Sequence, residues 1–155
     1  VVYTGEGGDV TLVGICPACH RENKSINIKD TEELIQKINQ LENHKVIIVG
    51  GNDISDYVSK LKENNNLKFY DFTGKTSFTE TAALISKCNK FISVDTSCMH
   101  LAFARKVPTV AIFFTKLFKK WGPKDLKNND VFVNLNSKKI DVDLIVEKLK
   151  NLGGK

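Results

Sequence analysis

The chain has 155 residues, of which 41% are hydrophobic, enough to bury the core of one domain of ordinary size. No apolar run approaches the roughly 20 residues that cross a bilayer, and the first residues lack the basic and apolar regions of a signal peptide, so we expect a cytoplasmic protein. The net charge of +5 comes from scattered lysines with one local cluster at Lys116, Lys119 and Lys120, which argues against a nucleic-acid partner.

Short apolar runs and helical repeats alternate along the chain. We interpret residues 1–9 as a linker or a ragged start of the domain. We predict strands at 10–15, 46–49, 67–70, 91–94, 110–114 and 131–135. The helices predicted between and after them place these residues inward, in chain order: Leu34, Ile35, Ile38 and Leu41; Ile54, Val58 and Leu61; Ala82, Ala83 and Ile85; residues 99–104; Val142, Ile145 and Leu149. Capping signals predict two helix starts, at Asp30 with Glu33 and at Ser77 with Glu80, and the last helix is predicted to run from Asp141.

Continuous apolar strands that alternate with amphipathic helices indicate a parallel sheet covered on both faces. The predicted fold class is therefore α/β, a doubly wound, mostly parallel, Rossmann-like sheet in one domain over residues 10–152. In such sheets, ligands bind beyond the carboxyl ends of the strands, where helix N-termini offer free N–H groups. The candidate ligand-binding turns are residues 16–24, 50–53, 73–77 and 95–100.

The first of these turns contains Ile15-Cys16-Pro17-Ala18-Cys19-His20, which fits a thiol redox pair, a haem attachment site and half a zinc site. A redox pair needs a helix that begins at the cysteines, and residues 21–28 show no helical apolar stripe. Haem attachment needs export, and zinc needs two more ligands, for which the distant candidates are Cys88, Cys98 and His100. We interpret Cys16 and Cys19 as free thiols and expect no metal, with a redox or zinc-binding domain as the alternative.

The most informative turn is Asp95-Thr96-Ser97-Cys98, with His100 one helical turn further on. A carboxylate at the end of a buried strand can hold sugar hydroxyls, while the amides of residues 96–98 hold a phosphate at the helix start. Two simpler interpretations stay open: Asp95 only caps the helix, and His100 is a structural histidine.

Two segments carry a resemblance to a known family: 74–85, GKTSFTETAALI, and 90–114, KFISVDTSCMHLAFARKVPTVAIFF, which Trp121-Gly122-Pro123 follows. Together they resemble the C-terminal domain of glycosyltransferase family 9, the ADP-heptose:lipopolysaccharide heptosyltransferases. That family has an Asp-Ser/Thr-Gly-x-x-His-Leu-x-x-Ala signature, and its members are two-domain enzymes of the GT-B type. The resemblance runs in the right order from about residue 10 to residue 123.

The resemblance implies a donor site. Asp95, Thr96, Ser97, Cys98 and His100 would hold the diphosphate and sugar of a nucleotide sugar such as ADP-heptose, and no other cofactor is required. Lys24 would contact the donor phosphates, unless it is an ordinary surface lysine. Lys75, Thr76 and Ser77 would lie beside the base and Asp53 near the ribose. Ser97 stands where the family has Gly, and a side chain there narrows a close backbone approach.

The resemblance also implies a partner domain. The family's N-terminal domain binds the acceptor and supplies the catalytic base, and this chain has room for one domain only. We therefore expect no catalytic residue in this chain, which would bind the donor without transferring the sugar. The expected acceptor is lipid-linked, at the inner face of the inner membrane. A non-catalytic nucleotide-binding module is the alternative, because a fold does not fix a function.

Overall fold

The computed structural model describes residues 9–153, so most of the predicted linker at residues 1–9 lies outside the described residues. The described residues form six strands and six helices, with short 3₁₀ turns at Glu22–Lys24 and Asn52–Ile54. In chain order the elements are β1 (Thr11–Cys16), α1 (Ile28–Asn39), β2 (His44–Ile48), α2 (Ser55–Lys62), β3 (Tyr70–Asp71), α3 (Phe78–Ser86), β4 (Lys90–Val94), α4 (Ser97–Ala104), β5 (Thr109–Phe113), α5 (Phe118–Trp121), β6 (Asp130–Val133) and α6 (Val142–Asn151).

The six strands form one parallel sheet in the order β3-β2-β1-β4-β5-β6. The predicted α/β, doubly wound fold is confirmed, because helices cover both faces of this sheet. On one face, alternate residues of the central strands, such as Val13 and Ile15, pack with buried residues of α1, α2 and α6. On the other face, Leu12 and Phe91 pack with residues of α3 and α4. The strands are apolar on both faces for this reason.

Several predicted element boundaries differ from the structure. The third strand, predicted over 67–70, pairs only at Tyr70–Asp71, and the last strand ends at Val133, which leaves Leu135 exposed. The helix predicted from residue 99 already begins at Ser97. Ala83, predicted to face inward, is exposed, whereas Ala82 and Ile85 are buried as predicted. The short helix α5 was not predicted, because four residues are too few for a helical repeat to show.

The helix caps are partly as predicted. Ser77 and Glu80 form the predicted capping box on α3. The last helix, predicted to run from Asp141, begins at Val142, and the Asp141 side chain is its cap. The predicted cap of α1 at Asp30 and Glu33 is wrong. The helix begins three residues earlier, where the side chain of Asn27 accepts a hydrogen bond from the Asp30 backbone N–H at 2.9 Å. The Asp30 carboxylate accepts hydrogen bonds from Asn27 Nδ2 and from the backbone N–H of Ile140, which connects α1 to the turn before α6.

This cap gives a first prediction. Replacing Asn27 with alanine removes the acceptor for a helix N-terminal N–H group, and we expect the free energy of unfolding to fall by about 1 kcal/mol. Glu33→Ala is the matched control, because Glu33 is exposed and does not cap the helix; its effect should stay within about 0.5 kcal/mol. Urea unfolding of both variants measures the difference. A larger loss in Glu33→Ala than in Asn27→Ala would contradict this assignment of the cap.

Between residues 9 and 153, none of the helices is long and apolar enough to cross a bilayer.

Candidate functional site

A cleft of about 550 Å³ opens at the carboxyl ends of the central strands. The strand order places β1 beside β4, although β2 and β3 come between them in sequence. The connections from β1 and β4 leave this point in opposite directions, and doubly wound sheets bind their ligands at such a switch point. The residues that line the cleft are Cys16, Ala18, Cys19, His20, Arg21, Lys24, Gly50, Gly51, Asp53, Asp95, Thr96, Ser97, Cys98, Leu117 and Trp121.

An ion pair lies in this cleft. Lys24 Nζ donates a hydrogen bond to Asp95 Oδ2 at 3.1 Å, and only 15% and 9% of the two side chains are exposed. Asp95 directly follows β4, and Lys24 ends the 3₁₀ turn after β1. Lys24 is therefore not an ordinary surface lysine. Both groups have lost most of their water, so a polar ligand in the cleft would meet an ammonium and a carboxylate that interact strongly with it.

The loop that carries Lys24 is held by its own hydrogen bonds. The Ser25 hydroxyl accepts from the Cys19 backbone N–H at 3.0 Å and lies 3.1 Å from the Arg21 carbonyl oxygen, to which it can donate. The Ile26 backbone N–H donates to the Pro17 carbonyl oxygen at 2.9 Å. These contacts close residues 17–26 into a compact loop. Lys24 consequently approaches Asp95 from a fixed position, although 71 positions in sequence separate them.

The N-terminus of α4 lies beside the ion pair. The Thr96 side chain caps this helix by accepting from the Met99 backbone N–H, so Asp95 is not the cap. The first N–H groups of any α-helix have no acceptor within the helix and carry positive potential. In α4 these groups belong to Ser97 and Cys98, which line the cleft. The site therefore combines helix N–H donors, an ammonium and a carboxylate.

Asp53 lies where the cleft meets a second hollow of about 450 Å³. The two hollows share Ala18, Cys19, His20 and Asp53, and the second is further lined by the aromatic ring of Tyr57. The Asp53 carboxylate is 3.9 Å from His20 Nδ1, and both side chains are well exposed, so the pair contributes little to stability. A ligand that extends from the cleft into the second hollow would pass the Asp53 carboxylate.

The structure does not place Lys75, Thr76 and Ser77 in the lining of either hollow. Lys75 Nζ donates to the Asp71 carbonyl oxygen at 3.1 Å, the Thr76 hydroxyl bonds to that of Thr81, and Ser77 caps α3. The segment reaches the cleft only through the preceding residue, since the Gly74 backbone N–H donates to the Gly50 carbonyl oxygen at 2.9 Å. Contact of these three residues with a nucleotide base stays a prediction.

His100 and Trp121 form an aromatic pair at the edge of the cleft. The His100 ring packs at 79° to the Trp121 ring with 5.6 Å between centroids, and Trp121, 42% exposed, lines the cleft. Lys120 Nζ lies 4.9 Å from the centroid of the same indole. His100 is exposed and does not line the cleft itself. Its ring packs against Trp121, which does. Leu117 and Trp121 line the cleft although neither was predicted to lie there; both follow the end of β5, to which the rule used for β1 and β4 also applies.

The two cysteines of the Cys-Pro-Ala-Cys segment have different neighbours. Cys16 Sγ lies 3.6 Å from the Thr96 hydroxyl and 3.7 Å from the Ala18 carbonyl oxygen, whereas the Cys19 thiol donates to the Arg21 carbonyl oxygen at 3.4 Å. All four cysteines of the chain are free. Among residues 9–153, no three His, Cys, Asp or Glu side chains come together in an arrangement that could hold a metal ion.

Comparison with known proteins finds a matching family and several similar folds. The sequence pattern of glycosyltransferase family 9 (heptosyltransferase) matches residues 6–149. Lipooligosaccharide heptosyltransferase 2 of Campylobacter jejuni is 27% identical over 111 residues, which are 69% of this chain and 32% of that protein. The E. coli ADP-heptose lipopolysaccharide heptosyltransferase II structure superposes with a TM-score of 0.79 at 18% identity over 97% of this chain and 51% of that one.

The E. coli heptosyltransferase WaaC, solved with ADP, superposes with a TM-score of 0.77 at 17% identity, over 92% of this chain and 44% of that one. At these identities the two structures show a common fold. The chain spans about a third of the length of the curated relatives it matches and about half of the length of the solved structures.

Proposed function

Because this chain belongs to glycosyltransferase family 9, we propose that its cleft binds the nucleotide-sugar donor of a heptosyltransferase. In the whole protein, heptose would pass from ADP-heptose or a related donor to a lipid-linked acceptor of the lipopolysaccharide inner core. The names of the similar proteins support this choice: the Campylobacter relatives are lipooligosaccharide heptosyltransferases, and an E. coli neighbour was solved with ADP.

One observation carries the proposal: the partly buried Lys24–Asp95 ion pair lies directly beside the N-terminus of α4. A diphosphate needs positive charge and N–H donors, which Lys24 and the amides of Ser97 and Cys98 supply. A sugar presents hydroxyl groups, for which the Asp95 carboxylate is a strong acceptor. The cleft thus has a partner for each half of a sugar diphosphate.

The remaining contacts extend the proposal toward the nucleoside. Asp53, at the junction of the two hollows, would accept hydrogen bonds from the ribose, and the segment at Lys75, Thr76 and Ser77 would lie next to the base through its contact with the Gly50 turn. His100 would act indirectly, by holding Trp121 against the sugar side of the cleft.

In the transfer step, a base of the partner domain would deprotonate the acceptor hydroxyl, which then attacks the anomeric carbon of the sugar with inversion. The bond from that carbon to the diphosphate oxygen breaks, and negative charge builds on the leaving nucleoside diphosphate. Lys24 and the N-terminus of α4 would stabilise this charge. The 155-residue chain by itself would bind the donor without transferring the sugar, and the whole protein would work at the inner face of the inner membrane.

Nucleotide binding tests the proposal directly. Trp121 is the single tryptophan of the chain and lines the cleft, so its fluorescence reports ligand binding there. We expect ADP at millimolar concentration to change this fluorescence and to raise the melting temperature, because a ligand that binds only the folded state stabilises it by about 2.7 kcal/mol at 100 times its Kd. Adenosine, which lacks the diphosphate, is the matched control and should have a much smaller effect.

Two results would contradict the proposal. One is the absence of any shift with ADP, UDP or GDP and their sugars. The other is a strong shift with zinc or with a thiol reductant in the absence of any nucleotide effect, which would favour a function of the cysteines instead. A larger effect of UDP or GDP than of ADP would keep the donor site and overturn the choice of adenine.

A further inference from the structure

The connection from β5 to β6 carries most of the net charge of the chain. Residues 116–127 contain five lysines and a single acidic residue, Asp125, so they hold four of the five net positive charges. All five lysines are exposed: Lys116, Lys119, Lys120, Lys124 and Lys127. We call these lysines, together with the exposed Trp121 and Leu126 that lie among them in sequence, the basic surface.

The lysines of the basic surface have no acidic partner in the described part of the chain. Among residues 9–153, none of these five ammonium groups forms an ion pair with a carboxylate, whereas Lys37 and Lys62 each pair with an aspartate. The Asp125 carboxylate accepts hydrogen bonds from the Lys127 backbone N–H at 3.1 Å and from Asn128 Nδ2 at 2.8 Å, which keep it within its own turn. The positive charge is therefore available to an anionic ligand.

Other residues hold the connection in place. The Phe118 ring packs against the buried Phe113 ring with 6.5 Å between centroids. At the far end, the Asn129 side-chain oxygen accepts a hydrogen bond from the Thr109 backbone N–H at 3.0 Å. The five lysine side chains take no part in these contacts, and Leu126 is 58% exposed. The basic and apolar side chains of the surface are thus not explained by the packing of the fold.

Lysines that alternate with exposed apolar side chains fit an anionic bilayer better than they fit other partners. At a bilayer, tryptophan lies at the level of the headgroups, leucine reaches the acyl chains, and lysines extend to the lipid phosphates. A second copy of this chain would bring like charges together, and lysine is depleted from protein–protein interfaces. A nucleic acid would meet the lysines and stack on Trp121, but it offers no apolar region to Leu126.

We propose that the basic surface binds the headgroup region of an anionic phospholipid bilayer. Trp121 belongs to this surface and also lines the cleft, so binding brings the mouth of the cleft to the headgroups. A lipid-linked acceptor would present its sugar at that level. This consequence for the acceptor rests on the proposed function, whereas binding to the bilayer does not.

The first experiment needs no variant. The 155-residue chain is mixed with vesicles of phosphatidylcholine alone or with about 30% phosphatidylglycerol, and the bound fraction is measured by flotation. We expect binding to the anionic vesicles only, and strong weakening when the ionic strength is raised to about 0.5 M, because salt screens exposed charges. Phosphatidylcholine brominated on its acyl chains, included in the anionic vesicles, should quench the fluorescence of Trp121, the single tryptophan.

The second experiment compares two lysine triplets. Lys119→Gln, Lys124→Gln and Lys127→Gln, combined in one chain, should weaken binding to anionic vesicles at least about tenfold, because each lysine near an anionic bilayer contributes about fivefold. The matched control carries three substitutions that change the net charge equally, at exposed lysines outside the surface: Lys29→Gln, Lys87→Gln and Lys150→Gln. It should bind the vesicles nearly as well as the unsubstituted chain, and both variants should bind ADP equally well.

The third experiment tests the apolar part of the surface. Leu126→Ala should weaken binding to anionic vesicles at least about threefold, because less apolar surface enters the bilayer. Leu144→Ala is the matched control, since Leu144 is an exposed leucine on α6 and outside the basic surface. Thermal melting of both variants shows whether the substitutions leave the fold intact.

Several results would overturn the inference. Equal binding to neutral and anionic vesicles, vesicle binding without quenching of Trp121, or equal losses in the two lysine triplets would each do so. Binding to single-stranded RNA with none to vesicles would assign the surface to nucleic acid, and a dimer that the first triplet dissociates would assign it to a second copy. A chain that binds ADP but no vesicles would overturn this inference alone. A chain that binds anionic vesicles but no nucleotide would overturn the proposed function and leave the basic surface standing.

Discussion

Replacing Asp95 with asparagine is expected to weaken the binding of ADP-heptose at least about tenfold, which corresponds to about 1.4 kcal/mol, while ADP binds as well as before or more tightly. The carboxylate would accept hydrogen bonds from sugar hydroxyls, and ADP has no such sugar. The same carboxylate partly neutralises Lys24, so its loss leaves more positive charge for the diphosphate. Asparagine keeps the shape and an oxygen that Lys24 can reach, which limits the effect on folding.

Lys24→Met separates the two halves of the site. This variant should weaken ADP and ADP-heptose alike, by about 1.5–3 kcal/mol, because a charge-assisted hydrogen bond to the diphosphate is lost in both complexes. Lys127→Met is the matched control, because Lys127 is exposed and lies outside the cleft. This variant should bind both ligands as tightly as the unsubstituted chain. Titration of the Trp121 fluorescence measures all three variants, and thermal melting confirms that each is folded.

The results would contradict the site in two ways. Unchanged affinity of Asp95→Asn for the nucleotide sugar would show that the carboxylate does not contact the sugar. An equal loss for ADP and ADP-heptose in Asp95→Asn would show that Asp95 acts only by positioning Lys24.

The second large effect concerns the core that supports the cleft. Phe91→Ala should lower the free energy of unfolding by about 3–5 kcal/mol, in the range found for buried phenylalanines. Phe91 is fully buried in β4 and lies beside Gly14 of β1. A Cβ placed on Gly14 would come within 2.6 Å of the Phe91 ring, so the ring fills the space that this glycine leaves. No side chain of Gly14 can close the cavity when the ring is removed.

Phe78→Ala is the matched control for this prediction, because it removes the same ring from a residue that is 68% exposed. We expect it to change the free energy of unfolding by less than about 0.5 kcal/mol. Thermal melting should show a fall of about 10 °C for Phe91→Ala, given about 2–4 °C per kcal/mol for a chain of this size. Similar melting temperatures for the two variants would mean that the ring of Phe91 does not support the contact between β1 and β4.

The fold was predictable because its main signal is local. Apolar runs of four to six residues between amphipathic segments can be recognised without knowledge of their neighbours, and the structure has a strand at each of the six predicted places. The errors occur where a local signal is weak or competes with another. Asp30 and Glu33 have the spacing of a capping pair, yet Asn27 caps the helix because Asp30 is held by the Ile140 backbone N–H. The strand at Tyr70–Asp71 is shorter than its apolar run, since only these residues pair with β2.

The candidate site was predictable in part. The turns after β1, β2 and β4 follow from the rule that ligands bind at the carboxyl ends of parallel strands, and Lys24, Asp53 and Asp95–Cys98 do line one cleft. Leu117 and Trp121 also line the cleft, and the same rule, applied to the end of β5, would have included them. The segment at Lys75–Ser77 is not in the lining of the cleft, because its side chains bond elsewhere: Lys75 to the Asp71 carbonyl oxygen, Thr76 to Thr81, and Ser77 to the start of α3.

The sequence by itself determined the alternation of strands and helices, the edge of the sheet at which a ligand would bind, and the resemblance to a family whose pattern does match residues 6–149. The tertiary structure decided which side chains meet there. Lys24 pairs with Asp95, and Cys16 Sγ lies 3.6 Å from the Thr96 hydroxyl, because the strand order places β1 directly beside β4. Hydrogen-bonded strand neighbours that are far apart in sequence leave no local periodicity, so such pairs become visible only when the sheet is assembled.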